Sequence, residues 1–291
     1  NWLQFLREYQ FNGILADDMG LGKTVQALVN LLYEKKSHQQ NQQDSQPGYQ
    51  QQQFPSLVIA PTSLMGNWKR ETERFTPDLK ILLLHGSDRD QNFNKIAGYD
   101  IILTTYQLIL RDSELHKQQQ YHYIILDESQ NIKNAKAKTA QVIFTLKSNH
   151  RLCLTGTPME NHLGELWSMF HFLMPGYLGN HERFTRLFRS PIEKAGDSQR
   201  MTQLQKRLQP FMLRRTKDAV ATELPAKTEI IRTIPLSGAQ RDLYETVRLA
   251  MDKKVQQEIS NKGLARSHII VLDALLKLRQ TCCDPRLLSL D

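Results

Sequence analysis

The chain has 291 residues, 40% of them hydrophobic and 23% charged, which is typical of a soluble globular protein with a substantial core. No apolar run approaches the roughly 20 residues of a membrane-spanning helix, so we expect no membrane partner. The three cysteines, Cys153, Cys282 and Cys283, exclude a disulfide framework and a paired zinc site, and they favour a reducing, intracellular compartment.

The net charge of +8 is unevenly distributed along the chain. Residues 1–174 hold 17 basic and 17 acidic residues, whereas residues 175–291 hold the remaining 21 and 13. An anionic partner of the second part would account for this surplus, and so would a well-solvated helical surface. Composition leaves both interpretations open.

Short apolar runs alternate with helical patterns from residue 12 to about residue 173. Because each run is continuous, it predicts a parallel strand that is buried on both faces. The predicted strands are 14–16, 57–60, 81–84, 101–103, 123–126 and 152–154, and the predicted helices between them are 24–36, 64–75, 135–146 and 160–172. This alternation predicts a doubly wound α/β domain over residues 1–174.

A polar tract, His38–Gln53, interrupts the alternation with Gln at nine of its sixteen positions. Such a composition buries too little apolar surface to order itself, so we predict a flexible surface loop.

Helical patterns dominate after Pro175, and they predict a mostly α-helical extension over residues 175–291. The predicted helices are 183–189, 198–212, 240–261 and 264–283, with one extended piece at 228–234.

The first chemical motif lies where the first predicted strand runs into a helix. Gly20 and Gly22 permit a tight turn that points backbone N–H groups at phosphate oxygens, and the helix N-terminus adds its dipole. Lys23 is predicted to reach the β- and γ-phosphates, and the Thr24 hydroxyl to bind Mg²⁺. The predicted phosphate-binding loop (P-loop) comprises Asp17, Asp18, Met19, Gly20, Leu21, Gly22, Lys23 and Thr24. It departs from the general pattern at Asp17, where glycine is expected.

Two acids end the fifth predicted strand, at the edge of the sheet where α/β proteins bind ligands. Asp127 is predicted to hold Mg²⁺, mostly through water, and Glu128 to orient or deprotonate the attacking water. Taken alone, the pair fits an acidic helix N-cap equally well. Placed about a hundred residues beyond a P-loop, it is assigned as a Walker B motif.

A hydroxyl-rich turn follows the sixth predicted strand and consists of Thr155, Gly156 and Thr157. The two hydroxyls either sense the γ-phosphate and couple its state to other parts of the protein, or they serve ordinary turn and capping chemistry. The sequence leaves both readings open.

These motifs resemble the helicase motifs of the Swi/Snf family within helicase superfamily two. The strings that carry the resemblance are residues 17–24, 60–68, 127–130, 154–161, 210–217, 224–229 and 278–285. They span nearly the whole chain, and an Asp at position 17 is normal for that family. The resemblance implies an N-terminal RecA-like lobe with a helical protrusion, from an ATP- and Mg²⁺-dependent motor. Such a motor moves along duplex DNA, inside the cell with the DNA, and remodels or displaces bound proteins.

The resemblance also implies roles for further residues. Gln130 stands where relatives often have His, and its amide would act only through hydrogen bonds. Trp68 is expected to pack on a helix face rather than to stack on a base. The residues expected to contact DNA are Pro61, Thr62, Ser63, Thr104, Thr105, Tyr106, Arg214, Arg215 and Lys217. Ordinary helix capping and solvation remain alternatives at these positions.

Two parts of such a motor are not recognisable in this sequence. One is an adenine-contacting Gln upstream of the P-loop, since Gln10 lies too close to Lys23. The other is a second RecA-like lobe with its arginine finger. We therefore expect an ATP hydrolase in the parent protein and negligible turnover from this chain alone. The alternatives are an RNA helicase lobe, a nucleotide-gated nucleic-acid-binding module without turnover, and a small-molecule kinase.

Overall fold

The computed structural model describes residues 2–43, 54–157, 162–220, 223, 228–236, 238–263 and 266–288. The chain divides into two compact units, Asn1–Leu224 and Pro225–Asp291. In the described part of the chain, no helix has the length and apolarity that crossing a membrane requires.

The first unit is built on a seven-stranded sheet in which every pairing is parallel. The strands are β1 (Gly13–Leu15), β2 (Ser56–Ala60), β3 (Ile81–Leu83), β4 (Ile101–Thr105), β5 (Gln120–Asp127), β6 (Lys147–Leu154) and β7 (Met212–Leu213). Their order across the sheet is β3-β4-β2-β5-β6-β1-β7. The predicted α/β class with a mainly parallel sheet is confirmed, and all six predicted strands are present.

The helices of the first unit connect these strands and cover the sheet. They are α1 (Trp2–Glu8), α2 (Lys23–Gln43), α3 (Thr62–Phe75), α4 (Tyr106–Arg111), α5 (Ser113–Gln118), α6 (Lys138–Thr145), α7 (Leu163–Leu173), α8 (His181–Phe184), α9 (Ser190–Ala195), α10 (Ser198–Leu208) and α11 (Lys217–Val220). The predicted helix over 160–172 corresponds to α7, and residues 158–161 lie outside the described residues.

Two hydrophobic clusters form the core, one on each face of the sheet. Alternate residues of β2 enter different clusters: Leu57 and Ile59 join the first, and Val58 and Ala60 join the second. This division explains why the strands read as continuous apolar runs, since both faces of a covered parallel sheet are buried.

The predicted helix over 198–212 is wrong at its end. Helix α10 stops at Leu208, and Met212 and Leu213 instead pair in parallel with Ile14 and Leu15 of β1. A two-residue strand is too short to produce a period-2 pattern, so the sequence could not distinguish it from a continued helix.

The segment after residue 174 packs onto the sheet. Its side chains Phe184, Phe188, Leu204, Leu208 and Phe211 belong to the same buried cluster as the strands. The first compact unit therefore extends to residue 224, well beyond the predicted division at residue 174. The assignment of residues 1–174 as a motor lobe and 175–291 as a protrusion stays a prediction.

The second unit contains two helices, α12 (Gly238–Lys262) and α13 (His268–Cys283). The amide of Gln240 ties them together by donating to the carbonyl oxygens of Thr281, at 2.8 Å, and Cys282, at 3.2 Å. These helices match the two predicted ones, although the predicted start at 264 lies outside the described residues. The predicted extended piece, residues 228–234, forms neither helix nor strand.

The predicted polar loop does not begin at His38. Helix α2 continues to Gln43, because Gln and Lys are favourable helix residues that prolong a helix already nucleated by its buried face. The rest of the tract, residues 44–53, lies outside the described residues.

A buried histidine makes the first unit sensitive to acid. His116 is fully buried, and its Nδ1 atom lies 2.6 Å from the Tyr121 hydroxyl. Burial lowers the pKa of His116 to about 4. His116 therefore takes up its proton at a higher pH in the unfolded chain than in the native protein. The stability that depends on neutral His116 is fully present above about pH 6.5, and it is lost as the pH falls toward 4. The expected loss is about 3 kcal/mol.

Chemical denaturation at several pH values checks this expectation. His116→Asn keeps a polar atom near Tyr121 but cannot titrate, so its unfolding free energy should depend less steeply on pH between 6.5 and 4. The same substitution at His85, an exposed position of the same unit, is the control and should leave the slope unchanged. Equal slopes in the wild type and in His116→Asn would contradict the prediction.

Candidate nucleotide-binding site

The predicted P-loop connects the carboxyl end of β1 to the first turn of α2, which begins at Lys23. Gly20 and Gly22 have φ values of 89° and 71°, in the left-handed region where a side chain would be strained. The loop therefore needs glycine at both positions for its tight turn.

The ammonium group of Lys23 lies against this loop. Its Nζ atom donates to the carbonyl oxygens of Asp17, at 2.6 Å, and Asp18, at 3.3 Å. The lysine that the sequence predicts to contact phosphates is thus held at the loop by backbone acceptors.

Asp17 is fully buried, and its carboxylate is bound by two side chains. The Nε atom of Arg215 lies 3.1 Å from Oδ1 and 3.2 Å from Oδ2, and Gln26 donates to Oδ2 at 3.3 Å. Burial alone would raise the pKa of Asp17, but the hydrogen bonds from Arg215 and Gln26 outweigh it, and the pKa lies below its ordinary value. The Asp that replaces glycine in the P-loop is therefore a buried, paired anion.

Asp127 ends β5 at the same carboxyl edge of the sheet, with only 6% of its surface exposed. Burial raises its pKa, a hydrogen bond from Trp68 opposes this shift, and the neighbouring Glu128 adds to it. The charge of Lys23 is also close enough to lower the pKa of Asp127. Because β1 and β5 are both parallel to β6, which lies between them, the predicted phosphate-binding lysine and the predicted metal-binding carboxylate lie at the same carboxyl edge of the sheet.

Trp68 supports Asp127 from helix α3. Its side chain is fully buried, as the expected packing role requires, and its indole Nε1 donates to Asp127 Oδ2 at 2.7 Å. Tyr106 supports the same residue through its hydroxyl, which donates to the Asp127 carbonyl at 2.8 Å. Sequence reasoning found neither contact, because no local pattern links α3 or α4 to the end of β5.

Glu128 adopts a left-handed backbone conformation, with φ 50° and ψ 57°. This conformation is uncommon for a residue other than glycine and concentrates at functional sites. The Glu128 N–H donates to Asp127 Oδ1 at 3.0 Å, so the two acids are held in a fixed relation.

A chain of hydrogen bonds joins the hydroxyl-rich turn to Glu128. The Thr155 hydroxyl donates to Gln130 Oε1 at 3.0 Å, and the Gln130 amide donates to Glu128 Oε2 at 2.9 Å. The Thr157 N–H donates to Thr155 Oγ1 at 3.0 Å, and Gly156 lies so close to the P-loop that an added Cβ would meet Met19 Cγ at 3.2 Å. The bond from Thr157 to Thr155 is ordinary turn chemistry, and the chain through Gln130 to Glu128 fits coupling, so both interpretations of the turn stay open.

The residues predicted to contact DNA differ in how far their side chains are exposed. Pro61 precedes α3 without a side-chain cap, and Thr62 and Ser63 are exposed at the start of that helix. In contrast, Thr104 and Thr105 are buried: Thr104 Oγ1 donates to Leu84 O, and Thr105 Oγ1 accepts from Leu108 N.

The loop at residues 104–106 holds its side chains inside the protein, and its contact with DNA stays a prediction. The Thr105 side chain caps α4, and the Tyr106 hydroxyl is bound inside the protein. Because all three side chains of residues 104–106 are buried, only their backbone groups remain candidates for contact with DNA.

The three basic residues after β7 also differ in their surroundings. Arg214 is exposed, whereas Arg215 turns toward Asp17. The Lys217 N–H donates to Asp18 Oδ2 at 3.0 Å. Arg215 and Lys217 thus bind the P-loop, and Arg214 and Lys217 both have exposed side chains. A contact of these residues with DNA stays a prediction.

The donor set at this edge fits Mg²⁺. Asp127 supplies a buried carboxylate and Thr24 a hydroxyl, and Mg²⁺ takes one or two protein oxygens together with waters and phosphate. In the described residues no group of three or more His, Cys, Asp or Glu side chains could hold a metal by itself. A magnesium ion here would therefore depend on phosphate oxygens.

The chain matches the SNF2-related domain family over residues 1–287. It is 44% identical over 292 residues to the putative ATP-dependent helicase/translocase YwqA of Bacillus subtilis, covering 99% of this chain and 30% of that protein. It is 34% identical over 300 residues to the TATA-binding protein-associated factor MOT1 of Saccharomyces cerevisiae, covering 99% of this chain and 16% of that protein.

A solved structure of the same family is also similar to this chain. The Sulfolobus solfataricus SWI2/SNF2 ATPase core in complex with dsDNA is 38% identical, with a TM-score of 0.68, over 99% of this chain and 57% of that one. The chain thus spans less than a third of the two curated relatives and just over half of the solved core.

Proposed function

The chain belongs to the SNF2-related domain family, and on that premise we propose that it is the first motor lobe of an ATP-dependent translocase on double-stranded DNA. The observation that carries the proposal is that the Lys23 loop and the acids Asp127 and Glu128 lie at the same carboxyl edge of one parallel sheet. Remodelling or displacement of DNA-bound proteins is the proposed outcome of translocation.

ATP binds with its phosphates on the P-loop, residues 17–24. Lys23 leaves its carbonyl acceptors for the β- and γ-phosphates, because a charged acceptor forms the stronger hydrogen bond. Thr24 and Asp127 hold Mg²⁺, which neutralises phosphate charge when it is bound. Trp68 keeps the Asp127 carboxylate in place.

Glu128 acts on the attacking water as its general base or orienting group. Its Oε2 atom is held by Gln130, which in turn is held by Thr155 on β6. A change at the γ-phosphate that moves Glu128 therefore reaches the turn at Thr155–Thr157 through hydrogen bonds. This turn is the route by which the lobe couples hydrolysis to its partners.

Duplex DNA binds through sequence-independent phosphate contacts. Support comes from the similar ATPase core that was solved with dsDNA, and from the exposed Thr62 and Ser63 at the start of α3. A second RecA-like lobe completes the ATPase site with an arginine finger. The solved core extends well beyond the part that this chain covers, which is consistent with such a lobe.

ATPase assays test the proposal. A protein containing both lobes is expected to hydrolyse ATP faster with duplex DNA than with double-stranded RNA or without nucleic acid. The 291-residue chain alone should show negligible turnover, because an arginine finger contributes about 10³–10⁵ in rate. Stimulation by RNA in place of DNA would instead indicate an RNA helicase lobe, and turnover by the chain alone would mean that its site is complete.

Lys23→Ala in the two-lobed protein is expected to lower kcat by about 10²–10³ through loss of charge stabilisation at the phosphates. Lys36→Ala, an exposed position on the same helix, is the matched control and should leave the rate unchanged. Equal rates for the two variants would show that Lys23 does not stabilise the phosphates, and they would contradict the proposed P-loop.

A further inference from the structure

The segment that follows β7 lies along the P-loop for several residues. Backbone bonds join Ala16 N to Leu213 O at 2.7 Å and Asp18 N to Arg215 O at 3.0 Å. The pairing between β1 and β7 thus continues past the end of the strand and into the loop. As a result, residues 214–217 form one wall of the candidate nucleotide site.

The side chain of Lys217 extends over the apex of the loop. A Cβ added at Gly20 would lie 3.6 Å from Lys217 Cε and 3.7 Å from Lys217 Nζ. The residue is exposed, and its ammonium group forms no ion pair with a residue in the described part of the chain. An exposed cation therefore lies beside the glycine turn whose N–H groups are proposed to receive phosphates.

The support of this lysine is rigid. Two residues before it, Arg215 binds the buried Asp17 carboxylate, and the Arg215 N–H donates to Asp17 Oδ1 at 3.0 Å. Lys217 itself is anchored through its own N–H on Asp18. A side chain whose backbone is already held in place loses less conformational entropy when it binds a ligand.

We propose that Lys217 is a second phosphate-binding lysine of the nucleotide site, positioned over the P-loop by the Arg215–Asp17 pair. Its ligand is the polyphosphate of a nucleoside di- or triphosphate, and the inference rests on the proposed function of that loop. Lys217 then contributes to nucleotide affinity in addition to Lys23. This role replaces the DNA contact that the sequence suggested for it.

Equilibrium titration of the full-length protein with a fluorescent Mg²⁺·ATP analogue tests the proposal. Lys217→Gln is expected to raise the Kd about tenfold, the effect of one charge-assisted hydrogen bond to phosphate. Lys217→Arg should retain most of the affinity, because the positive charge is kept. Lys194→Gln, an exposed lysine of the same unit, is the matched control and should stay within about twofold.

Two further measurements distinguish a failure of the inference about Lys217 from a failure of the proposed nucleotide site. If Lys23→Ala weakens binding but Lys217→Gln does not, the inference about Lys217 is overturned while the proposed nucleotide site stands. If Lys23→Ala leaves the Kd unchanged, the proposed site itself fails. Duplex-DNA affinity without nucleotide is expected to be equal in the wild type and in Lys217→Gln. A loss of DNA affinity with unchanged nucleotide affinity would assign Lys217 to DNA and overturn the proposal.

Discussion

Replacing Arg215 by methionine is expected to lower the free energy of unfolding by about 2 kcal/mol, which is less than the roughly 3–5 kcal/mol for a fully buried ion pair because 40% of the Arg215 side chain is exposed. Asp17 is fully buried, and Arg215 binds it through both its backbone N–H and its guanidinium group. The variant leaves a charged carboxylate in the interior without its counter-charge. Gln26 remains as a neutral donor and compensates only in part.

Urea denaturation of the wild type and variants at neutral pH measures this effect. Arg214→Met, at the exposed neighbouring position, is the control and should change stability by less than about 0.5 kcal/mol. Asp17→Asn combined with Arg215→Met should recover part of the loss, because no buried charge is left unpaired. Similar destabilisation by the two single arginine variants would show that the Asp17 pair does not support the fold.

The stability lost in Arg215→Met is expected to depend on pH, and the pKa of Asp17 gives the direction. The pKa of Asp17 lies below its ordinary value of 3.8, so the stabilisation by the pair is present above that pH and is lost as the pH falls through the lower native value. In Arg215→Met the same carboxyl group is buried without its partner. The destabilisation should therefore be largest at neutral pH and shrink as the solution is acidified.

Replacing Glu128 by glutamine is expected to lower kcat for ATP hydrolysis by about 10²–10⁴, with the affinity for ATP nearly unchanged. The amide has the shape of the carboxylate but cannot accept a proton from water. Its oxygen can still accept the hydrogen bond from Gln130, so the local structure should be preserved.

Single-turnover hydrolysis by the two-lobed protein, together with nucleotide titration, separates chemistry from binding. Thr155→Val removes the hydroxyl that holds Gln130 and leaves Glu128 in place, so it should lower the rate much less than Glu128→Gln. A Glu128→Gln enzyme that hydrolyses ATP within about threefold of the wild-type rate would exclude Glu128 as the general base.

The sequence by itself determined the main architecture of the first unit and pointed to its candidate site. Continuous apolar runs identified six strands, because burial on both faces of a parallel sheet imposes that pattern locally. The P-loop and the acids at Asp127 and Glu128 were recognisable for the same reason: each motif is a strand end followed by a loop, encoded within a few neighbouring residues.

Only the tertiary structure decided which distant residues support that site. Arg215 and Asp17 are separated by 198 positions, and Trp68 and Asp127 by 59. The pairing of β7 with β1 brings the first two together, and the neighbouring positions of β2 and β5 in the sheet bring α3 to Asp127. Such contacts depend on strand order and on side-chain packing across layers, and neither leaves a periodic signal in the chain. The sequence therefore predicted the groups proposed for the chemistry, whereas the fold selected the residues that hold them in place.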